Sequence, residues 1–493
     1  MWSTLLGLDF NPELPRQMAL RQAVVAAIDA GRLAPGQRLP ASRNLARELG
    51  LARNTVVAAY EALVERGVLA VQARQGVFVA GSGSMSPPDL TPPDLAPPGG
   101  LDWPARLSRR PHLQRNIVKP TDWQRYPFPF VYGQVDPELF PLATWRALSR
   151  DALGRAAVNH WAADHATADD PQLIDAICRH VLPRRGVHPR RDEVLVTLGT
   201  QHGLFLLASL LVRPGGVVGI EDPGYPDARN IAELHGATIR PLALDEQGVR
   251  LDAQMRGVEL AIVTPGHHCP TMITMPLSRR EALLKWARQA DALLVEDDYE
   301  TEAGPSTTLP PLMALDRAGR VIMLGSFSKI LAPGLRLGFM VGPAPLIAEA
   351  RALRRLMHRS VPLNNQRTAA LFLAEGHYQT LLRKLGEALR SRWDVAAREV
   401  ARHLPGFQRS PSSGGSSLWL CCPPGIDGPA FFAAARARGV LVEPGEAFFA
   451  TPGAGRQHFR LGLSSIPAAR IAAGIAGLAA AAADVAGAPG PID

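Results

Sequence analysis

The sequence predicts an α/β body built on a mostly parallel sheet, preceded by a small α+β head with a winged helix-turn-helix and joined to it by a Pro-rich linker. Three observations carry this reading. Helical periodicity in the second part alternates with short apolar runs, Glu193–Thr197, Val217–Ile220, Ala261–Val263, Leu293–Val295 and Val321–Leu324, which is how a parallel sheet covered on both faces reads. Residues Ser82 to Pro104 are rich in Pro, Gly and Ser and cannot bury enough apolar surface to fold, so they act as a semi-rigid spacer. Ahead of that spacer, three helical patterns are followed by two short strand patterns. The expected boundaries are 1–80 for the head, 81–125 for the linker and 126–493 for the body.

In the head, Gln17 to Ile28 is amphipathic, and Gly31 to Gly36 ends it. A second helix over Ala41–Leu49 meets a turn at Gly50, and a third runs from about Ala52 to Arg66. Two short helices around a glycine turn form a helix-turn-helix, whose second helix can lie in the major groove with its first residues at base edges. Arg53, Asn54 and Thr55 occupy that leading turn. Val68–Ala73 and Gly76–Ala80 read as the two strands of the wing. Nine arginines against six acids give the head only a modest positive excess, and an arginine at a helix end can equally be a solvated partner of the helix dipole. Double-stranded DNA is nevertheless the partner that this order of elements fits.

The whole chain has 493 residues and a net charge of +8. That size exceeds one ordinary domain. Four cysteines, Cys178, Cys269, Cys421 and Cys422, are too few and scattered for a disulfide framework or a zinc ribbon, so a reducing, cytoplasmic setting is expected. No basic region followed by an apolar segment opens the chain, and no unbroken run of about 18 apolar residues occurs, so neither a signal peptide nor a membrane span is expected. His267 and His268 lack the paired carboxylates of a metal set; no metal is expected.

Only four of the 53 basic residues are lysines. One of them, Lys329, lies among small residues in Gly325–Arg336, where an amine rather than a guanidinium could condense with an aldehyde. The alternative is a leftover surface residue, which suits the other three better: Lys119 beside prolines in the linker, and Lys285 and Lys384 in polar-faced helical patterns. Upstream, Leu293–Val295 runs into Glu296-Asp297-Asp298-Tyr299-Glu300, and acids at a strand end need a cation or solvent. A protonated pyridine nitrogen facing Asp297 would be such a cation, with Tyr299 on the same side if the strand continues. The alternative is an acidic loop. Phosphate donors are available from the Gly199 turn with Thr200 and Gln201 at a helix start, from Ser326 and Ser328, and from Arg336. Arg460, inside the apolar run His458–Leu463, needs an anion or is an unpaired buried charge.

Two sets of motifs resemble known families. Leu39–Arg43, Arg53–Val56, Ala59–Leu63 and Gly67–Leu69 resemble the winged helix of GntR-type regulators, which implies DNA contacts from Arg43, Arg53, Asn54 and Thr55. Tyr132-Gly133-Gln134, Asp222–Pro226, Thr264–Pro270, Glu296–Tyr299, Ser326–Lys329 and Phe459–Gly462 resemble the fold type I aminotransferases over roughly Phe130 to Ile475. That resemblance implies pyridoxal 5′-phosphate held as an internal aldimine on Lys329. It also implies Asp297 on the pyridine nitrogen, Tyr299 on the ring oxygen, Tyr225 over the ring and Arg460, beside Gly133, on a substrate carboxylate. Cys269 and Met272 depart from the Asn-Pro-Thr-Gly pattern, and 161–173 lacks the run that commonly reaches a neighbouring subunit's phosphate.

The combination resembles the MocR family of regulators. The resemblance implies a homodimer, head-to-tail in the family's manner, that binds operator DNA and senses a small amino compound through an external aldimine at Lys329. A catalytic aminotransferase with a secondary head is the alternative, and loading with the cofactor itself is a third candidate signal.

Overall fold

The computed structural model describes residues 2, 6, 15–72, 75–80, 101–163, 168–300 and 309–487. They fall into two compact units that divide after Arg106. The spacer's residues 81–100, Ala73 of the expected first wing strand and part of 161–173 lie outside the described residues.

In the head, α1 (Arg16–Asp29), α2 (Ser42–Leu49) and α3 (Arg53–Glu65) enclose one core. Leu20, Val24 and Ala27 of α1 are fully buried, the i, i+4, i+7 spacing of one helix face. Gly50 ends α2 in the left-handed region at φ 64°, a conformation that glycine adopts without a side-chain penalty. Val56, Ala59, Tyr60 and Leu63 of α3 face inward, and the Tyr60 hydroxyl donates to the Pro40 carbonyl at 3.0 Å. The wing pairs β1 (Leu69–Gln72) with β2 (Gly76–Val79) in antiparallel register, Leu69 opposite Val79.

The body's main sheet contains β3 (Val194–Thr197), β4 (Val217–Asp222), β5 (Thr238–Asp245), β6 (Gly248–Val249), β7 (Leu260–Val263), β8 (Leu293–Asp298), β9 (Val321–Ser326) and β10 (Gly338–Val341). Their order across the sheet is β3-β10-β9-β8-β7-β4-β5-β6. β5, β4, β7, β8 and β9 run parallel; β10 is antiparallel to both its neighbours, and β6 is antiparallel to β5. Alternation sends Val194 and Val196 into the core on one face and Leu195 into that on the other, as strands covered on both sides require.

A smaller sheet, ordered β11-β12-β14-β13, joins β11 (Gln408–Arg409), β12 (Ser417–Cys421), β13 (Glu443–Pro444) and β14 (His458–Gly462). Leu418, Leu420, Phe459 and Leu461 pack with Ile471, Ile475 and Leu478 of the C-terminal helix Ala468–Gly487. By length and composition Ala468–Ala486 could cross a bilayer, but one of its faces is part of this core.

The linker does not extend to residue 125 as expected. Residues from Leu107 belong to the body's unit because polar side chains tie them to it. Gln114 Nε2 donates to the Asn230 carbonyl at 3.0 Å, and Asn230 Nδ2 donates back to the Arg115 carbonyl at 3.0 Å.

Candidate functional site

The C-terminal ends of the parallel strands meet along one edge, where open sheets of this kind collect ligands. Leu324 stands opposite Asp297, Ser326 opposite Gly338, and Gly338 opposite Thr197. This register brings the acids of β8, the lysine loop after β9 and the glycine turn after β3 together. There they form a cavity of about 280 Å³ whose lining includes Lys119, Tyr132, Thr200, Tyr225, Cys269, Asp297, Tyr299, Lys329 and Arg460.

Strand alternation sorts the three acids of β8. Glu296 turns away and accepts from the backbone N–H groups of Leu312 and Met313 at 2.9 and 3.0 Å. Asp298 is paired with buried Arg185 at 3.2 Å. Asp297 alone faces the cavity, and its Oδ1 is buried with no hydrogen-bond partner. Burial first, then the neighbouring Asp298 charge, pushes its carboxyl up to about 7. Tyr299 Oη and Ser328 Oγ are likewise buried without partners. Orphaned polar atoms of this kind are costly to bury, and their chemistry fits the ring nitrogen, ring oxygen and phosphate of pyridoxal 5′-phosphate.

Lys329 lines the same cavity, its Nζ 4.5 Å from the Tyr132 ring centroid. Burial, with the positive charges of Lys119 and Arg460 adding, lowers its ammonium to about 8. Gly133, at φ 73°, leaves the room this amine needs, since a Cβ there would stand 2.2 Å from Lys329 Nζ.

Thr200 lines the cavity at the start of α4 (Thr200–Leu211), behind Gly199. Arg336 Nη2 donates to the Leu198 carbonyl at 2.6 Å, beside this turn. Ser326 Oγ accepts from the Ser328 N–H at 3.1 Å. Tyr225 lines the cavity and donates to Asp227 Oδ2 at 3.2 Å. Gln201, expected at the phosphate, is exposed and donates to Asp227 Oδ2 at 2.9 Å, a residue of the cavity lining.

Arg460 needs no external anion to be neutralised. Alternation sends Phe459 and Leu461 into the core and Arg460 to the cavity. Cross-strand register sets Arg460 opposite Glu443, whose Oε2 accepts from its Nε at 2.8 Å and lies 2.7 Å from Nη2. The guanidinium also stacks over the Tyr132 ring at 3.9 Å. Sequence reading missed Glu443 because a two-residue strand carries no periodicity.

It also misplaced Lys119, which reaches the cavity and lies 3.4 Å from Glu443 Oε1. The rarity of lysine is the available signal. His268 and His267 are buried and do not line this cavity; His268 Nδ1 meets Thr271 Oγ1 at 2.7 Å. Met272, where glycine is usual, adopts the left-handed conformation at φ 59°, a sparsely populated region for a side chain of its size.

In the head, Arg43 on α2 and Arg53 and Asn54 at the start of α3 are exposed, and Thr55 is half-buried.

Residues 143–476 match the class I and II aminotransferases, and residues 16–79 match the gntR family of bacterial regulatory proteins. The HTH-type transcriptional regulator TauR of Rhodobacter capsulatus is 42% identical over 94% of this chain and 96% of its own. The probable rhizopine catabolism regulatory protein MocR of Rhizobium meliloti is 31% identical over 91% of this chain and 90% of its own. LysN, an α-aminoadipate aminotransferase from Thermus thermophilus solved with N-(5′-phosphopyridoxyl)-L-leucine, superposes with a TM-score of 0.71 at 25% identity. The match covers 78% of this chain and 99% of that one. Head, body and overall identity agree: the chain belongs to the MocR family of transcriptional regulators, in which a gntR-type head precedes a pyridoxal phosphate-dependent aminotransferase fold.

Proposed function

We propose that this protein is a sequence-specific DNA-binding regulator whose body, loaded with pyridoxal 5′-phosphate at Lys329, senses a small amino compound and alters the DNA affinity of its head. The observation that carries this reading is a cavity lined by Lys329 and by two residues with orphaned buried polar atoms, Asp297 Oδ1 and Tyr299 Oη, in a chain that also has a gntR-type DNA-reading head. The coenzyme supplies an electrophilic aldehyde that captures primary amines reversibly.

The residues around it have separable tasks. With the coenzyme bound, Asp297 would accept a hydrogen bond from the protonated ring nitrogen, Tyr299 would meet the ring oxygen and Tyr225 would cover the ring. The Gly199–Thr200 turn, Ser326, Ser328 and Arg336 hold the phosphate, and Arg460 orients an acid group. Arg53, Asn54 and Thr55 read base edges while Arg43 contacts phosphate. The protein works as a homodimer in the cytoplasm, and the ligand acts through its different affinity for two states of the protein.

The test is operator binding by the coenzyme-loaded protein with and without an amino compound. A change in affinity that disappears in Lys329→Ala supports sensing, and an unchanged affinity counts against it. The lowered Lys329 ammonium favours a second reading, catalytic turnover, because an amine near neutrality can carry a proton. Appearance of an oxo acid from an added amino acid would support that second reading.

A further inference from the structure

The segment from Leu107 to Pro120 is a strap over the body, and Lys119 stands near its end. Beyond the Gln114 and Asn230 contacts, Asn116 donates to Asp227 Oδ1 and the Arg115 guanidinium to the Ala450 carbonyl. Lys119 Nζ donates to the Tyr132 carbonyl, and its distance to Glu443 Oε1 is 3.4 Å. Lys119 and Lys329 approach each other closely: a Cβ on Gly133 would stand 3.8 Å from one amine and 2.2 Å from the other.

Charge around Glu443 is unbalanced. Its Oε2 is taken by Arg460 and its Oε1 faces Lys119 and, at 3.3 Å, the Tyr132 N–H. One carboxylate therefore serves two cations. Glu300, another carboxylate close by, accepts from the Tyr132 hydroxyl and the Ser416 N–H. With Arg460 holding Glu443 through two contacts, Lys119 has no counter-charge of its own, and an incoming anion supplies one.

The two cations differ in freedom. Arg460 is fixed by Glu443 and by stacking on Tyr132 and Phe448. Lys119 is a point charge on a flexible stem, and its side chain retains 29% exposure.

We infer that Lys119 recognises the carboxylate of an amino acid effector, exchanging Glu443 for the ligand, and that the strap it ends transmits occupancy to the linker. The inference rests on the proposed sensing function and deepens it. The ligand is a primary amine with one carboxylate a short distance away, set by the close approach of Lys119 to Lys329. The strap then changes its anchoring at Lys119.

The experiment titrates the coenzyme-loaded full chain with glycine, L-alanine, β-alanine and n-propylamine, followed by coenzyme absorbance and by amide exchange of residues 107–120. Lys119→Met is expected to weaken the best-bound amino acid at least 10-fold while changing n-propylamine less than 2-fold. It should also abolish the ligand-induced change in exchange of the strap. Lys119→Arg should recover part of the binding and supplies the test if the methionine variant fails to fold. Equal effects on amino acid and n-propylamine, or no effect on either, would overturn the inference. A wild-type protein that answers n-propylamine but no amino acid would overturn it and leave sensing standing; one that answers none of the four overturns both.

Discussion

Replacing Glu443 with Gln keeps the shape of the side chain and removes the charge that two cations share. In the folded body Glu443 is 3% exposed and Arg460 1%, so little water can substitute for the lost carboxylate. Removing one partner of a buried ion pair costs about 3–5 kcal/mol, because the remaining charge is left uncompensated. The presence of Lys119 at 3.4 Å adds repulsion between like charges, so the upper half of that range is expected. The assay is urea unfolding of the coenzyme-free chain, following the transition that reports the body. A second arm compares the coenzyme-loaded chain with and without saturating amino acid, which should restore part of the loss by supplying the missing carboxylate. A loss below about 1 kcal/mol, the size of an exposed pair, would refute the charge count on which the role of Glu443 rests.

Three further outcomes are expected. Lys329→Ala should abolish the visible absorbance of the bound coenzyme, and a persistent band would place the coenzyme elsewhere. Arg53→Ala should cost about 1–3 kcal/mol of specific DNA binding with little change on scrambled DNA; unchanged affinity in anisotropy titrations would mean another surface reads the site. Coenzyme loading needs the neutral amine of Lys329, whose ammonium is lowered to about 8. The loading rate should therefore rise with pH towards 8 and level off above it, and a rate that keeps rising towards about 10, the range of an ordinary lysine, would contradict the burial argument.

Much of the fold is legible in the sequence because the β-branched runs of β3, β4, β7, β8 and β9 are bounded by helical patterns. β5 escapes notice since Arg240 and Pro241 interrupt its apolar run, and Pro usually argues against a strand interior. β10 is too short to be separated from the loop after Lys329. Within the site, Asp297 and Tyr299 both line the cavity, although the strand whose period of two would put them on one side ends at Asp298. The partners of Glu296 and Asp298 come from distant segments and leave no local trace. Lys119 shows the same limit: a lysine beside a proline reaches the cavity because a strap folds back. Arg460 is readable as a buried cation, whereas its partner Glu443 follows only from cross-strand register.

The most direct measurement is fluorescence anisotropy of the coenzyme-loaded protein on DNA from upstream of its own gene and on scrambled DNA, with and without the best-binding amino acid. The account predicts tighter binding to the upstream DNA, an affinity that changes severalfold with the amino acid, and no such change in Lys329→Ala. Equal affinity for both DNAs, or an amino acid response that survives in Lys329→Ala, would contradict it.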